Sequence, residues 1–248
     1  MALSRAALVP RVCISPPTPI GPVPKLATRI LELLRVEEGD LVVDLDCDLQ
    51  SPQPMPEEMR RRVRMADLRP FSERLAFLLI TSGVHMVQMS ALTFGRFPRQ
   101  YERVVLHEGF SQRKDRLHLL LASVLSRLDP AGRILVVGSA PSPDSPLFAG
   151  GLRRWNRQHR SPEVIALQMR DAGFSAHVES VECSRRVSVA DCNAWVESRE
   201  WPILESFNEV ELQRGLCELR THHGSQQMVE FTSRFDLVLG IKPAMLVS

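Results

Sequence analysis

Three clusters in this chain have the residue types and spacing to do chemistry. The first is Asp44-Leu45-Asp46-Cys47-Asp48-Leu49-Gln50, where carboxylates alternate directly after the apolar run Leu41-Val42-Val43. Alternating acids at a strand end suit either a solvated acidic loop or a weak cation site. The second is Asp67, which closes Val63-Arg64-Met65-Ala66 and precedes Leu68. The third is His107-Glu108, at the end of Tyr101–Leu106. An imidazole beside a carboxylate can take a proton from a hydroxyl or an amine; the same two residues also serve as polar groups in a strand-end loop. No metal centre is expected. The five cysteines (Cys13, Cys47, Cys183, Cys192, Cys217) are scattered without CxxC spacing, and the adjacent His222 and His223 point to different faces of a helix.

The elements that must position these residues follow from hydrophobic spacing. Leu26, Ile30, Leu33 and Leu34 repeat as on one face of a helix, and Leu41–Leu45 follows as an apolar strand. A run without alternation suits a strand buried on both faces, as in a parallel sheet. A short helix is expected over Ser51–Arg62 and a strand over Val63–Asp67. A helix from Pro70 to Gly83 then leads into a strand at Val84–Met89. Tyr101–Leu106 is the fourth strand and Asp115–Leu128 a helix; the turn Asp129-Pro130-Ala131-Gly132 then launches a strand over Arg133–Gly138. After a polar loop at Ser139–Pro146, Ser161 caps a helix with Pro162 in its first turn, which ends at Gly173. A sixth strand spans Phe174–Cys183. Helices follow over Asp191–Arg199 and Asn208–Thr221, then a strand or hairpin over Met228–Ile241. Strands and helices alternate, so right-handed crossovers and a sheet covered on both faces are expected.

Composition narrows the function. A net charge of +2 with 24% charged residues gives no electrostatic reason for a nucleic-acid partner. The cluster Arg60, Arg61, Arg62, Arg64 reads as a solvated helix end or a phosphate-binding patch. No apolar run approaches the ~20 residues of a membrane span. Unpatterned cysteines fit a reducing, cytoplasmic compartment. Residues 1–25 hold six prolines (Pro10, Pro16, Pro17, Pro19, Pro22, Pro24) and no acid. They read as a flexible, extended arm ahead of one domain over 26–248. Mitochondrial targeting is the alternative that the basic, acid-free composition raises, against the helix-breaking prolines.

The order of these elements resembles the class I S-adenosylmethionine-dependent methyltransferases, of the type 11 kind. That family reads acidic-x-Gly-x-Gly-x-Gly after its first strand. Here Asp44 opens the motif, while Asp46, Asp48 and Gln50 stand at the glycine positions. Leu128-Asp129-Pro130-Ala131-Gly132-Arg133-Ile134-Leu135-Val136 and Ala172-Gly173-Phe174 are similar to the family's turns into strands five and six. The resemblance covers roughly residues 26 to 243. It implies a Rossmann-like fold with a mostly parallel, seven-stranded central sheet and helices on both faces. It also implies S-adenosylmethionine as cofactor, bound by Asp44, Asp46, Cys47 and Asp48 in the loop. Asp67 and Leu68 would lie at the ribose and Ser90 and Ala91 near the adenine. His107 and Glu108 would face the methyl group as catalytic residues, and the helix-rich part from Trp195 to Pro243 would carry substrate contacts.

Two functions follow from that resemblance. One is methyl transfer to a small-molecule acceptor; the other is an inactive member of the fold, kept as a binding or scaffold subunit with a protein partner. A nicotinamide-dependent Rossmann enzyme fits less well, because it too needs Gly-x-Gly-x-x-Gly. The rewritten loop is what separates the two. Glycines there allow positive φ and close approach of backbone to ligand, and aspartate tolerates that conformation better than most residues. The added carboxylates attract the cofactor's ammonium and repel its carboxylate. Each such term is about 4 kcal/mol at ~4 Å and an effective dielectric near 20. Trp155, Trp195 and Trp201 read equally as pocket lining or as core.

Overall fold

The computed structural model describes residues 23–37, 40–46, 85–90, 100–108, 117–199 and 201–244. These form a six-stranded sheet: β1 Leu41–Asp46, β2 His85–Ser90, β3 Tyr101–Glu108, β4 Leu128–Ala140, β5 Ser175–Ser188 and β6 Met228–Ile241. The strand order is β2-β1-β3-β4-β6-β5. Strands β2, β1, β3 and β4 pair in parallel, while β6 runs antiparallel between β4 and β5. The mostly parallel sheet expected from the sequence is therefore present, with one reversed strand. The seventh expected strand, over 63–67, lies outside the described residues, as do the expected helices over 51–62 and 70–83.

Both faces are covered. Helix α1 (Val23–Leu34) packs Leu26, Ile30 and Leu34 against Val42, Val105, Leu135, Val137, Phe235 and Leu237. Pro24 is tolerated there because the first helical turn has no amide partner to lose. On the other face, α2 (Leu117–Arg127) and α4 (Pro162–Asp171) cover Val104, Leu106, Ile134, Val136 and Val238. Consecutive residues of β4 alternate between the two cores, which explains a strand with no polar side. Burying one of these side chains contributes about 1.5–3 kcal/mol.

Two expectations need correction, and one helix was not foreseen. The Asp129–Gly132 turn is absorbed into β4: Tyr101 pairs Leu128 and Arg103 pairs Arg133, so extra residues bulge out, with Ala131 at φ +62°. Ser161 stands at the N-cap of α4, but its side chain makes no capping bond there. A helix that the periodicity does not announce, α3 (Ala149–Gln158), precedes it. Of the strand or hairpin expected over Met228–Ile241, the structure forms the single strand β6.

The connections after β4 and β5 build a helical cap. Helices α3, α5 (Val189–Glu197) and α6 (Glu209–His223), with a short 3-10 turn at Pro202–Ser206, share one core of Phe148, Trp155, Trp201, Leu204, Leu212 and Leu216. Trp155 and Trp201 are buried in it and Trp195 stacks edge-on to Trp201, so these rings are packing residues. Asn208 and Glu211 start α6 with a reciprocal capping box. Glu218 of α6 accepts the Ala149 amide at 2.7 Å, supplying α3 with the acidic partner missing from its own first turn.

Candidate functional site

The carboxyl ends of β1, β2 and β3 lie side by side. Asp46 pairs with Ser90 on one edge of β1 and with His107 on the other; two positions back, Asp44 stands between Gln88 and Val105. Neighbouring strands are about 4.8 Å apart, so Ser90, Asp46 and His107 fall within one small-molecule width. From β1 the chain passes to β2 on one side and then to β3 on the other. That reversal opens a crevice at the strands' carboxyl ends, where open α/β sheets take their ligands. The structure thus brings together four of the residues expected at the site: Asp46, Ser90, His107 and, one rank further along, Glu108.

Cys47, Asp48, Asp67, Leu68 and Ala91 lie outside the described residues.

One rank beyond His107 the register runs Glu108, Gly138, Asp236, Ser180 across four strands. Asp236 is 4% exposed in the middle of the apolar stretch Phe235–Leu239, and a charge taken that deep must be paired. It is. Oδ1 accepts from Ser180 Oγ at 2.7 Å and from Arg234 Nε at 3.3 Å, while Oδ2 lies 3.4 Å from His159 Nε2. Burial pushes the Asp236 carboxyl up. Hydrogen bonds from His159 and Ser180 and the charge of Arg234 outweigh that and hold it below the ordinary aspartate value.

His159 is the first residue after α3. Its amide donates to Trp155 O at 2.7 Å, while its ring reaches the sheet. One residue therefore ties the helical cap to the carboxyl edge. The β4–α3 loop is pinned nearby, where Asp144 accepts a hydrogen bond from the Thr232 amide at 3.0 Å. No group of three metal-ligating side chains occurs among the described residues, and no described helix is long and apolar enough to cross a membrane. Sequence reasoning did not single out Asp236 or His159. The signal for Asp236 was an acid flanked by apolar Phe235 and Leu237–Leu239; His159 carried none, because its helix was not foreseen.

No family model matches the chain, and no curated protein matches it in sequence. Solved structures do match. A protein assigned as a methyltransferase of an antibiotic biosynthesis pathway in Anabaena variabilis aligns over 87% of this chain and 97% of its own, at 11% identity and a TM-score of 0.50. An assigned methyltransferase of Bacillus halodurans aligns over 88% and 99%, at 11% identity and a TM-score of 0.47. Phosphoethanolamine N-methyltransferase 2 of Haemonchus contortus, solved with S-adenosylhomocysteine, aligns over 88% of this chain at 10% identity and a TM-score of 0.42. The chain spans about half of that enzyme's length, 53%. With its strand order, reversed β6 and helices on both faces, the chain has the Rossmann-like fold found in S-adenosylmethionine-dependent methyltransferases.

Proposed function

We propose that this chain is an S-adenosylmethionine-dependent methyltransferase acting on a small-molecule acceptor. The observation that carries the reading is the acidic carboxyl edge at the sheet's switch point, with Asp46 between Ser90 and His107. The donor set suits the group. Asp46 and the following Asp48 favour a ligand with a net positive charge, and S-adenosylmethionine carries ammonium and sulfonium against one carboxylate. When bound, it supplies an electrophilic methyl group. The chain's own residues then have three tasks. Asp44, Asp46, Cys47 and Asp48 hold the amino-acid end. Asp67 and Leu68 hold the ribose, and Ser90 and Ala91 the adenine. His107 and Glu108 face the acceptor, where alignment of its nucleophile supplies much of the rate.

A second reading is favoured by one observation: no glycine stands at Asp46, Asp48 or Gln50. Nonglycine residues in a strained loop cost about 1–3 kcal/mol each, and a chain that has lost turnover would survive as a binding subunit. Formation of S-adenosylhomocysteine from S-adenosylmethionine, followed with phenol, amine and carboxylate acceptors, separates the two. Acceptor-dependent product supports the transferase. Cofactor binding with no product from any acceptor supports the binding subunit.

A further inference from the structure

The Asp236–His159 pair is more than the methyltransferase reading requires. Three donors converge on Asp236, yet only Ser180 and Arg234 bind Oδ1; Oδ2 is left to the imidazole. A buried, ionised carboxylate beside one ring nitrogen of a histidine fixes the tautomer with that nitrogen protonated. Nε2 is the ring atom facing Oδ2, at 3.4 Å, which assigns the proton to Nε2 and the lone pair to Nδ1. The His159 side chain is 18% exposed whereas Asp236 is 4% exposed, so the imidazole is the member of the pair within reach of a ligand. The pair also has a defined place. Asp236 stands in the same cross-strand rank as Glu108, two strands or about 10 Å away. Gly138, between them, contributes no side chain to that rank.

We propose that His159 is the catalytic base of this site and Asp236 its positioning residue. The ligand is a small molecule whose O–H or N–H lies over Gly138, between the Glu108 strand end and His159. The step is a proton transfer: the O–H or N–H bond breaks, its electron pair stays on the acceptor atom, and the proton moves to Nδ1. The imidazolium is stabilised by Asp236 and later returns its proton to solvent. The acceptor atom is thereby made nucleophilic. The assignment rests on the methyltransferase reading for the identity of the electrophile, but the base itself is testable without cofactor or acceptor.

The experiment is carbethoxylation of the full chain with diethyl pyrocarbonate at pH 8, mapped residue by residue by mass spectrometry. In the wild type His159 is expected to react, and Asp236→Asn to slow that reaction about fivefold or more, because the Nε2 side of the ring loses the carboxylate that makes Nδ1 more nucleophilic. A merely structural contact gives the opposite sign, since loosening the cap exposes the ring and speeds modification. An unreactive His159 in the wild type, or an Asp236→Asn rate that is equal or faster, overturns the assignment. If Asp236→Asn does not fold, nitrogen NMR of the wild-type imidazole decides. Protonated Nε2 with bare Nδ1 supports the base; the reverse tautomer refutes it. Binding of S-adenosylhomocysteine on the same sample keeps the two ideas apart. A reactive, Asp236-dependent His159 without binding refutes the methyltransferase reading alone. Binding with an inert His159 refutes the base alone.

Discussion

Replacing Gly215 by alanine tests whether the helical cap is a fitted structure. Gly215 lies inside α6, where alanine gains about 1 kcal/mol of helix propensity over glycine. Its new Cβ would sit 2.5 Å from Cγ and 2.6 Å from Cε1 of Phe148, and closer still to Cδ1. Carbon atoms pack at about 3.5–4.0 Å, so the ring must retreat by roughly an ångström. It has little room. Phe148 packs edge-on against Phe207 at 5.1 Å between centroids, and a Cβ at Gly150 would already lie 3.2 Å from its Cε2. The Arg154 guanidinium, 3.7 Å from the Phe207 ring centroid, closes the far side. Overpacking of this kind costs about 1–3 kcal/mol, which exceeds the propensity gain. Gly215→Ala is therefore expected to destabilise the chain by about 1 kcal/mol in urea unfolding. In a Phe148→Leu background the same change should turn neutral or stabilising, giving a coupling of about 1–3 kcal/mol. Stabilisation by about 1 kcal/mol in both backgrounds, with no coupling, would refute the close approach of α6 to Phe148.

Asn208→Ala removes the capping box of α6 and should lower stability by about 0.5–2 kcal/mol, read as a lower urea midpoint at unchanged slope. Asp236 has a carboxyl held below its ordinary value, so its contribution is present above the unfolded-state pKa and lost as pH falls through the folded one. Stability measured from pH 6 downward should fall less steeply in Asp236→Asn than in the wild type; parallel curves would show that Asp236 contributes nothing. Burial pushes the Cys192 thiol up to about 11, so at pH 8 iodoacetamide should modify exposed Cys217 and spare Cys192 in the native chain. Rapid labelling of Cys192 without unfolding would contradict its place in the core beside Val187 and Phe231.

Much of the sheet was legible because its residues obey simple periods. Leu41-Val42-Val43 is an apolar run, and Val42, Val43 and Leu45 are buried against the two cores. Helix α2 shows its i, i+3, i+4 spacing, and the helix expected over Asn208–Thr221 is α6. Helix α3 was not legible. Its first turn holds Gly150-Gly151, poor helix formers, and it keeps its shape through Trp155 and the Glu218 cap, both tertiary contacts. The Asp129–Gly132 turn was legible as a change of direction but not as a bulge, since pairing with β3 is set by the sheet. Asp46, Ser90 and His107 could be picked individually; their adjacency is a matter of strand order, which periodicity does not encode. The partnership of Asp236 with His159 spans residues far apart in sequence and joined only by packing.

The central claim is that the acidic carboxyl edge around Asp46 accepts a cationic nucleoside cofactor. Calorimetric titration of the chain with S-adenosylmethionine and S-adenosylhomocysteine tests it most directly, with Asp46→Asn, Asp67→Ala and Ser90→Ala alongside. Both ligands are expected to bind, with S-adenosylmethionine losing more affinity than S-adenosylhomocysteine on Asp46→Asn, because only the former carries the sulfonium charge. At least one of Asp67→Ala and Ser90→Ala should weaken both ligands. No heat of binding for either ligand at millimolar concentration would contradict the claim, and equal affinities across all four chains would contradict the placement of the site.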